Sequence, residues 1–134
     1  MRPGELVIHH IGYLVKNLDK AMLQFEILGY KHNGLPIYDD YRGIDIAFLE
    51  KDGYKIELVC PRDSKSIVGN LRKKIGNTPY HICYEVDNLE NAIEELGKLR
   101  FVIWEQPHEA LAIDCRRVVF LFSSQMGMIE LVEK

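Results

Sequence analysis

His10-Ile11-Gly12-Tyr13-Leu14-Val15 returns 71 residues later as His81-Ile82-Cys83-Tyr84-Glu85-Val86, and each copy closes on Ile-Glu-Leu-Val, at Ile56 to Val59 and again at Ile129 to Val132. Landmarks in between hold nearly the same offset: Leu18 to Leu89 is 71 residues, Phe48 to Phe120 is 72 and Glu57 to Glu130 is 73. Such constancy means one supersecondary unit present twice. Each copy opens on a histidine-bearing strand and closes on a glutamate-bearing one.

The sequence between the landmarks supplies the elements. Leu6 to Val15 alternates as a strand. Asn17 caps a helix whose apolar positions Ala21, Met22, Phe25 and Leu28 recur at helical spacing until Gly29 stops it. Tyr30 to Tyr38 reads as a second strand. Ile44 to Glu50 and Tyr54 to Val59 flank Asp52-Gly53, a hairpin signal. The copy therefore reads βαβββ. Pro61 to Gly76 departs from the pattern, and Ile67, Leu71 and Ile75 mark a short linker helix. The second copy runs from a strand at Tyr80 to Val86, through a helix capped by Asn88 with Ala92, Ile93, Leu96 and Leu99 on one face, to Phe101–Trp104. A loop follows around Gln106-Pro107-His108-Glu109, then strands at Arg116 to Phe122 and Met128 to Val132. The expected class is α+β: one domain over residues 1–134 with a first module at 5–60, a linker at 61–78 and a second module at 79–134, forming a curved, mixed, eight-stranded sheet.

Alternation sorts these side chains by face, because neighbours on a strand point oppositely. Ile11, Tyr13 and Val15, with Ile82, Tyr84 and Val86, suit packing on the helices. Ile56, Leu58, Ile129 and Leu131 face the same way. His10, His81, Glu57 and Glu130 are left on the helix-free face. Two imidazoles and two carboxylates form a ligand set for a divalent metal such as Zn, Ni, Co, Mn or Fe(II). The carboxylates offset the ion's charge, and the absence of thiolates suits a site with room for water or substrate. His9 points opposite to His10, while His32 and His108 belong to the loop surface.

Composition limits the alternatives. A net charge of −3 opposes nucleic-acid binding, which needs a concentrated basic surface. Apolar runs such as Val118 to Phe122 are too short to span a bilayer. The start, Met-Arg-Pro-Gly-Glu, has no signal-peptide pattern, which implies the cytoplasm. Cys60, Cys83 and Cys115 form no Cys-x-x-Cys pair and read as small buried hydrophobes.

The paired βαβββ units, His10-Ile11-Gly12, His81-Ile82-Cys83-Tyr84-Glu85-Val86 and the two Ile-Glu-Leu-Val strands resemble the vicinal oxygen chelate superfamily of glyoxalases, epimerases and extradiol dioxygenases. The stretch from Glu57-Leu58-Val59-Cys60-Pro61 through the short helix to His81-Ile82-Cys83 is similar to methylmalonyl-CoA epimerases. The set His10, Glu57, His81 and Glu130 also resembles that of bacterial glyoxalase I. The resemblance implies a metal-dependent enzyme with one divalent ion per site (Zn, Ni, Co or Mn). That enzyme abstracts a proton beside a carbonyl, with the metal stabilising the oxygen that gains charge. It points to Glu130 as base, with Glu57 and Asp45 as further candidates. The epimerases place a second acid/base glutamate on the third strand. Here Gly43-Ile44-Asp45-Ile46-Ala47 puts Ile46 at that position by ungapped matching, with Asp45 adjacent and on the other face.

An acyl-CoA or a thiol adduct is the implied substrate, a homodimer the implied assembly. Arg72, Lys73, Lys74, Arg116 and Arg117 are candidate phosphate contacts, and Trp104 and Phe101 core or cleft residues. An epimerase of methylmalonyl-CoA type leads, a glyoxalase I-type lactoylglutathione lyase is the alternative, and a non-catalytic small-molecule binder is a third reading.

Overall fold

The computed structural model describes residues 6–134; Met1 to Glu5, including the start of the expected first module, lie outside the described residues. Nine strands and three helices occur in the order β1 (Val7–Leu14), α1 (Leu18–Ile27), β2 (Lys31–His32), β3 (Ile37–Asp39), β4 (Ile44–Lys51), β5 (Tyr54–Pro61), α2 (Ile67–Ile75), β6 (Thr78–Val86), α3 (Leu89–Lys98), β7 (Val102–Ala110), β8 (Arg116–Ser123) and β9 (Gly127–Glu133). No helix among them is long and apolar enough to cross a membrane. The α+β class and the repeated βαβββ order are those expected. The ninth strand arises because the expected strand at Tyr30–Tyr38 is two short ones, β2 and β3, both antiparallel to β4. Asn33, Gly34 and Pro36 separate them, and Gly34 takes φ +86°, a conformation natural to glycine.

Among the described residues the chain divides into two compact units, residues 10–80 and residues 81–134 together with 6–9. In the first unit the strand order is β2-β4-β5-β1, with β3 also on β4. β1 lies parallel to β5 in the register Gly12↔Glu57, and β4 antiparallel to β5 with Phe48 opposite Glu57. The hairpin turn places Asp52 at φ 54° and Gly53 at φ 84°, the two left-handed residues a type I′ turn requires. In the second unit the order is β6-β9-β8-β7, with Cys83↔Glu130 across the parallel pair and Phe120↔Glu130 across the antiparallel one.

Each unit buries a helix against one sheet face. Val15, Met22, Ala47, Leu49, Ile56 and Leu58 form the first core, with Ile11, Tyr13 and Phe25 packed on it. Val86, Leu89, Ala92, Leu96, Val119, Leu121, Ile129 and Leu131 form the second, with Tyr84, Ile93 and Phe101. They include Ile11, Tyr13, Val15, Ile56, Leu58, Tyr84, Val86, Ile129 and Leu131, which alternation assigned to the helix side. Leu58 and Leu131 are fully buried, so truncating either to alanine costs about 2–5 kcal/mol. The helices also start alike: Asn17 accepts from the Lys20 N–H at 2.9 Å, and Asn88 from the Asn91 N–H at 2.9 Å.

Two local expectations change, at the loop residues and at the cysteines. Gln106 to Glu109 is strand, within β7, because an edge strand with bulges admits Pro107; His108 is therefore a strand residue, and His32 sits in the short β2. The linker helix is present as read, at Ile67–Ile75, with Val68 and Gly69 buried and Ile67 and Ile75 exposed. Only Cys83 is a buried cysteine: Cys60 is half-buried, and Cys115 is exposed in a left-handed turn with Asp114.

Candidate functional site

Packing one sheet face on a helix leaves the other face to be filled by the remaining residues of each strand. In the first unit that face carries His10 from β1, Glu57 from β5 and Phe48 from β4. His10 is 1% exposed and Glu57 5%. Nε2 of His10 lies 3.4 Å from Oε1 of Glu57, and the Phe48 ring meets the imidazole edge to face at 5.4 Å between centroids.

The second unit builds the same arrangement from β6, β9 and β8. His81 and Glu130 are each 3% exposed, Nε2 to Oε1 is 3.0 Å, and Phe120 meets His81 edge to face at 5.1 Å. A buried carboxylate is costly without a cation or hydrogen-bond donor. Each glutamate stands against an imidazole, with an aromatic ring closing one side.

All four residues are buried His/Glu groups able to hold a metal ion. The pair distances fit that use. Donors about 2.1 Å from a shared ion are about 3.0 Å apart at right angles and about 3.4 Å apart at the tetrahedral angle. The observed 3.0 and 3.4 Å span that range, and imidazole nitrogen with carboxylate oxygen suits a borderline divalent metal.

Asp45 is elsewhere. It precedes Ala47 and Leu49 on the helix-facing side of β4, where Arg62 donates to it from both Nε and Nη2 at 2.9 Å. The Arg62 guanidinium lies 3.6 Å over the Tyr38 ring. On the face that carries His10 and Glu57, β4 offers the apolar Ile44 and Ile46, and β3 brings Asp39, which holds Arg42 at 2.8 Å.

The basic candidates divide. Arg116 donates to Glu85 at 2.8 Å and to the Glu133 carbonyl, and it holds the Glu85 carboxyl below the usual carboxylate range. Arg117 pairs with Glu90 and Glu133. Arg116 thus ties β8 to β6 and β9, and Arg117 ties β8 to β9 and to Glu90 at the start of α3. Arg72, Lys73 and Lys74 occupy the last turn of α2, where cations suit the helix dipole. Phe101 packs on the second core, whereas Trp104 meets Phe120 at 6.1 Å on the opposite face.

Sequence reading did not single out Glu105. It lies opposite Phe120, which lies opposite Glu130, so all three share a row on one face. The missed signal was a polar-aromatic pair, Trp104-Glu105, inside a segment taken for strand end and loop.

Comparisons with known proteins agree with this architecture. Residues 9–120 match the family model described as the glyoxalase/bleomycin resistance protein/dioxygenase superfamily. Bovine mitochondrial methylmalonyl-CoA epimerase is 28% identical over 121 residues, which is 90% of this chain and 69% of that protein. The crystal structure of methylmalonyl-CoA epimerase from Mycobacterium tuberculosis superposes with a TM-score of 0.81 at 26% identity, covering 99% of this chain and 92% of that one. A hypothetical protein from Bacillus halodurans C-125 gives a TM-score of 0.83 at 28% identity, covering 97% and 95%. The chain belongs to the glyoxalase/bleomycin resistance protein/dioxygenase superfamily.

Proposed function

We propose that the protein is a divalent-metal-dependent epimerase of the methylmalonyl-CoA type. In this reading His10, Glu57, His81 and Glu130 together hold one ion. The observation that carries it is the exact repetition of a buried His–Glu pair, edge-on to a phenylalanine, in a chain related along 90% of its length to such an epimerase.

When bound, the ion supplies a positive charge beside the substrate carbonyl as that oxygen gains electron density. The chain's own residues do the rest. His10 and His81 offer neutral nitrogen donors held by packing against Phe48 and Phe120. Glu57 and Glu130 balance the ion's charge, and Glu130 takes the proton from the carbon next to the thioester. The apolar flank of Ile44, Ile46 and Phe48 lowers the local dielectric, which strengthens each charge interaction. Asp45, tied to Arg62 on the helix side, is left out of the chemistry.

The test is incorporation of solvent deuterium at C2 of methylmalonyl-CoA by metal-loaded protein. Exchange well above a metal-only control is expected; exchange no faster than that control eliminates the reading. Turnover of a glutathione hemithioacetal in its place would assign the lyase chemistry.

A further inference from the structure

An epimerase must deliver a proton to the face of the carbon opposite the one it was taken from, and on the His10 face of β4 the first unit offers the apolar Ile44, Ile46 and Phe48, with its carboxylate there, Glu50, exposed at the strand end and held by Asn33. We propose that Glu105, set in position by the bulge in β7, is the second acid/base, working opposite Glu130 across a substrate seated over Phe120. This inference rests on the epimerase reading above.

The placement comes from the strand ladder. Ile103 pairs with Leu121, yet Glu105 pairs with Phe120, so the ladder shifts by one residue between them. Two residues of β7, Trp104 and Glu105, thus oppose one on β8. Bulges re-aim side chains in this way and concentrate beside active sites. Leu121 belongs to the helix-side core, and Phe120 faces away from it toward His81. Glu105 stands directly across from Phe120, as does Glu130 on the other side. Directly opposed residues share a face, so the three form one row: Glu130, Phe120, Glu105.

Strands are about 4.8 Å apart, which puts the backbones of the two glutamates about 10 Å from each other. In that row the two glutamates flank Phe120 from its two sides. Trp104, edge-on to Phe120 at 6.1 Å, and His81 extend the aromatic floor. A carbon above that floor has one carboxylate toward each face. Glu105 is half-buried, which shields the exchange from bulk water while leaving it in reach of substrate.

The proton accounting closes. Glu130 takes the C2 proton, and the C–H electron pair moves onto the thioester carbonyl to give the enolate. Glu105 in its acid form then gives its proton to the other face of C2 as the carbonyl reforms. Glu130 afterwards loses its proton to solvent and Glu105 regains one. The reverse direction exchanges the two roles.

The deciding experiment uses the metal-loaded protein and each methylmalonyl-CoA epimer in deuterium oxide, following C2 exchange and epimerisation separately. For Glu105→Gln, epimerisation is expected to fall by about 100-fold or more. The epimer whose proton faces Glu130 should still exchange, with its configuration kept, at a rate within about tenfold of the parent. The variant should also bind the same equivalents of metal, measured by elemental analysis, which separates loss of the acid/base from loss of the site. Glu105→Asp, which keeps the carboxyl group on a shorter arm, should epimerise faster than Glu105→Gln. Epimerisation by Glu105→Gln within threefold of the parent overturns the proposal, as does a parallel fall in exchange of both epimers or a loss of bound metal. Absence of exchange in the parent protein would instead overturn the epimerase reading itself.

Discussion

The two copies of the βαβββ unit agree on the face that carries the histidines and differ in the strands and anchors that flank it. In both, a buried imidazole, a buried glutamate and an edge-on phenylalanine recur at matching register. Beyond the phenylalanine the second unit has a nine-residue bulged strand carrying Trp104 and Glu105, whereas the first has β2 and β3, two and three residues long. The helix anchors differ as well. Glu133 accepts from the Leu89 N–H at the start of α3, at 2.9 Å, while the matching place at Leu18 is held by the Cys60 thiol, which also donates to the Lys16 carbonyl. Each unit thus repeats the His–Glu–Phe arrangement but flanks and anchors it differently.

The comparison breaks most visibly in the glutamates. Glu130→Gln should lower epimerisation about a thousandfold, the scale of a lost general base, measured with metal reloaded to the parent level. Asp45→Asn, one strand from Glu57 but on the helix side and bound to Arg62, should leave the rate within threefold. An equal loss in both would mean that the faces are assigned wrongly.

Glycines sharpen the difference in helix packing. A Cβ on Gly69 of α2 would lie 1.9 Å from the Asp63 carbonyl oxygen, so Gly69→Ala should cost about 1–3 kcal/mol by chemical denaturation. Gly97 of α3 faces open space, and Gly97→Ala should instead stabilise by about 0.5–1 kcal/mol.

The helix anchors carry an effect that depends on pH. The Leu89 N–H and then Arg117 hold the Glu133 carboxyl below the usual carboxylate range. A lowered folded-state pKa stabilises the fold above the unfolded value, and that contribution disappears as pH falls through the folded value. Glu133→Gln should therefore cost about 1 kcal/mol at neutral pH, with the gap from the parent closing below about pH 4. At Cys60 burial pushes the thiol up, so it stays neutral, and Cys60→Ala should show no such acid dependence in melting experiments.

Much of this was legible in the chain. Period-two alternation placed His10, Glu57, His81 and Glu130 opposite the helices because a one-residue slip would have exposed Leu58 or Leu131. Asn17 and Asn88 marked both helix starts, and Asp52-Gly53 marked its turn. The β7 bulge was hidden, since Gln106-Pro107 has the composition of a loop and only pairing with β8 makes it strand. The engagement of Arg116 with Glu85, 31 residues away, was equally invisible, because no local pattern encodes which charges a fold brings together. Ile67 and Ile75 marked the ends of α2, while the close approach of the Asp63-Ser64 turn to Gly69 goes with the burial of its Val68–Gly69 side.

The central claim is that two equivalent His–Glu pairs make one metal site. Elemental analysis of reconstituted protein tests it directly, on the parent, His10→Ala and His81→Ala. One divalent ion per chain in the parent and near-complete loss in each single variant is the predicted result. Two ions per chain, or a full equivalent retained after either substitution, would contradict it.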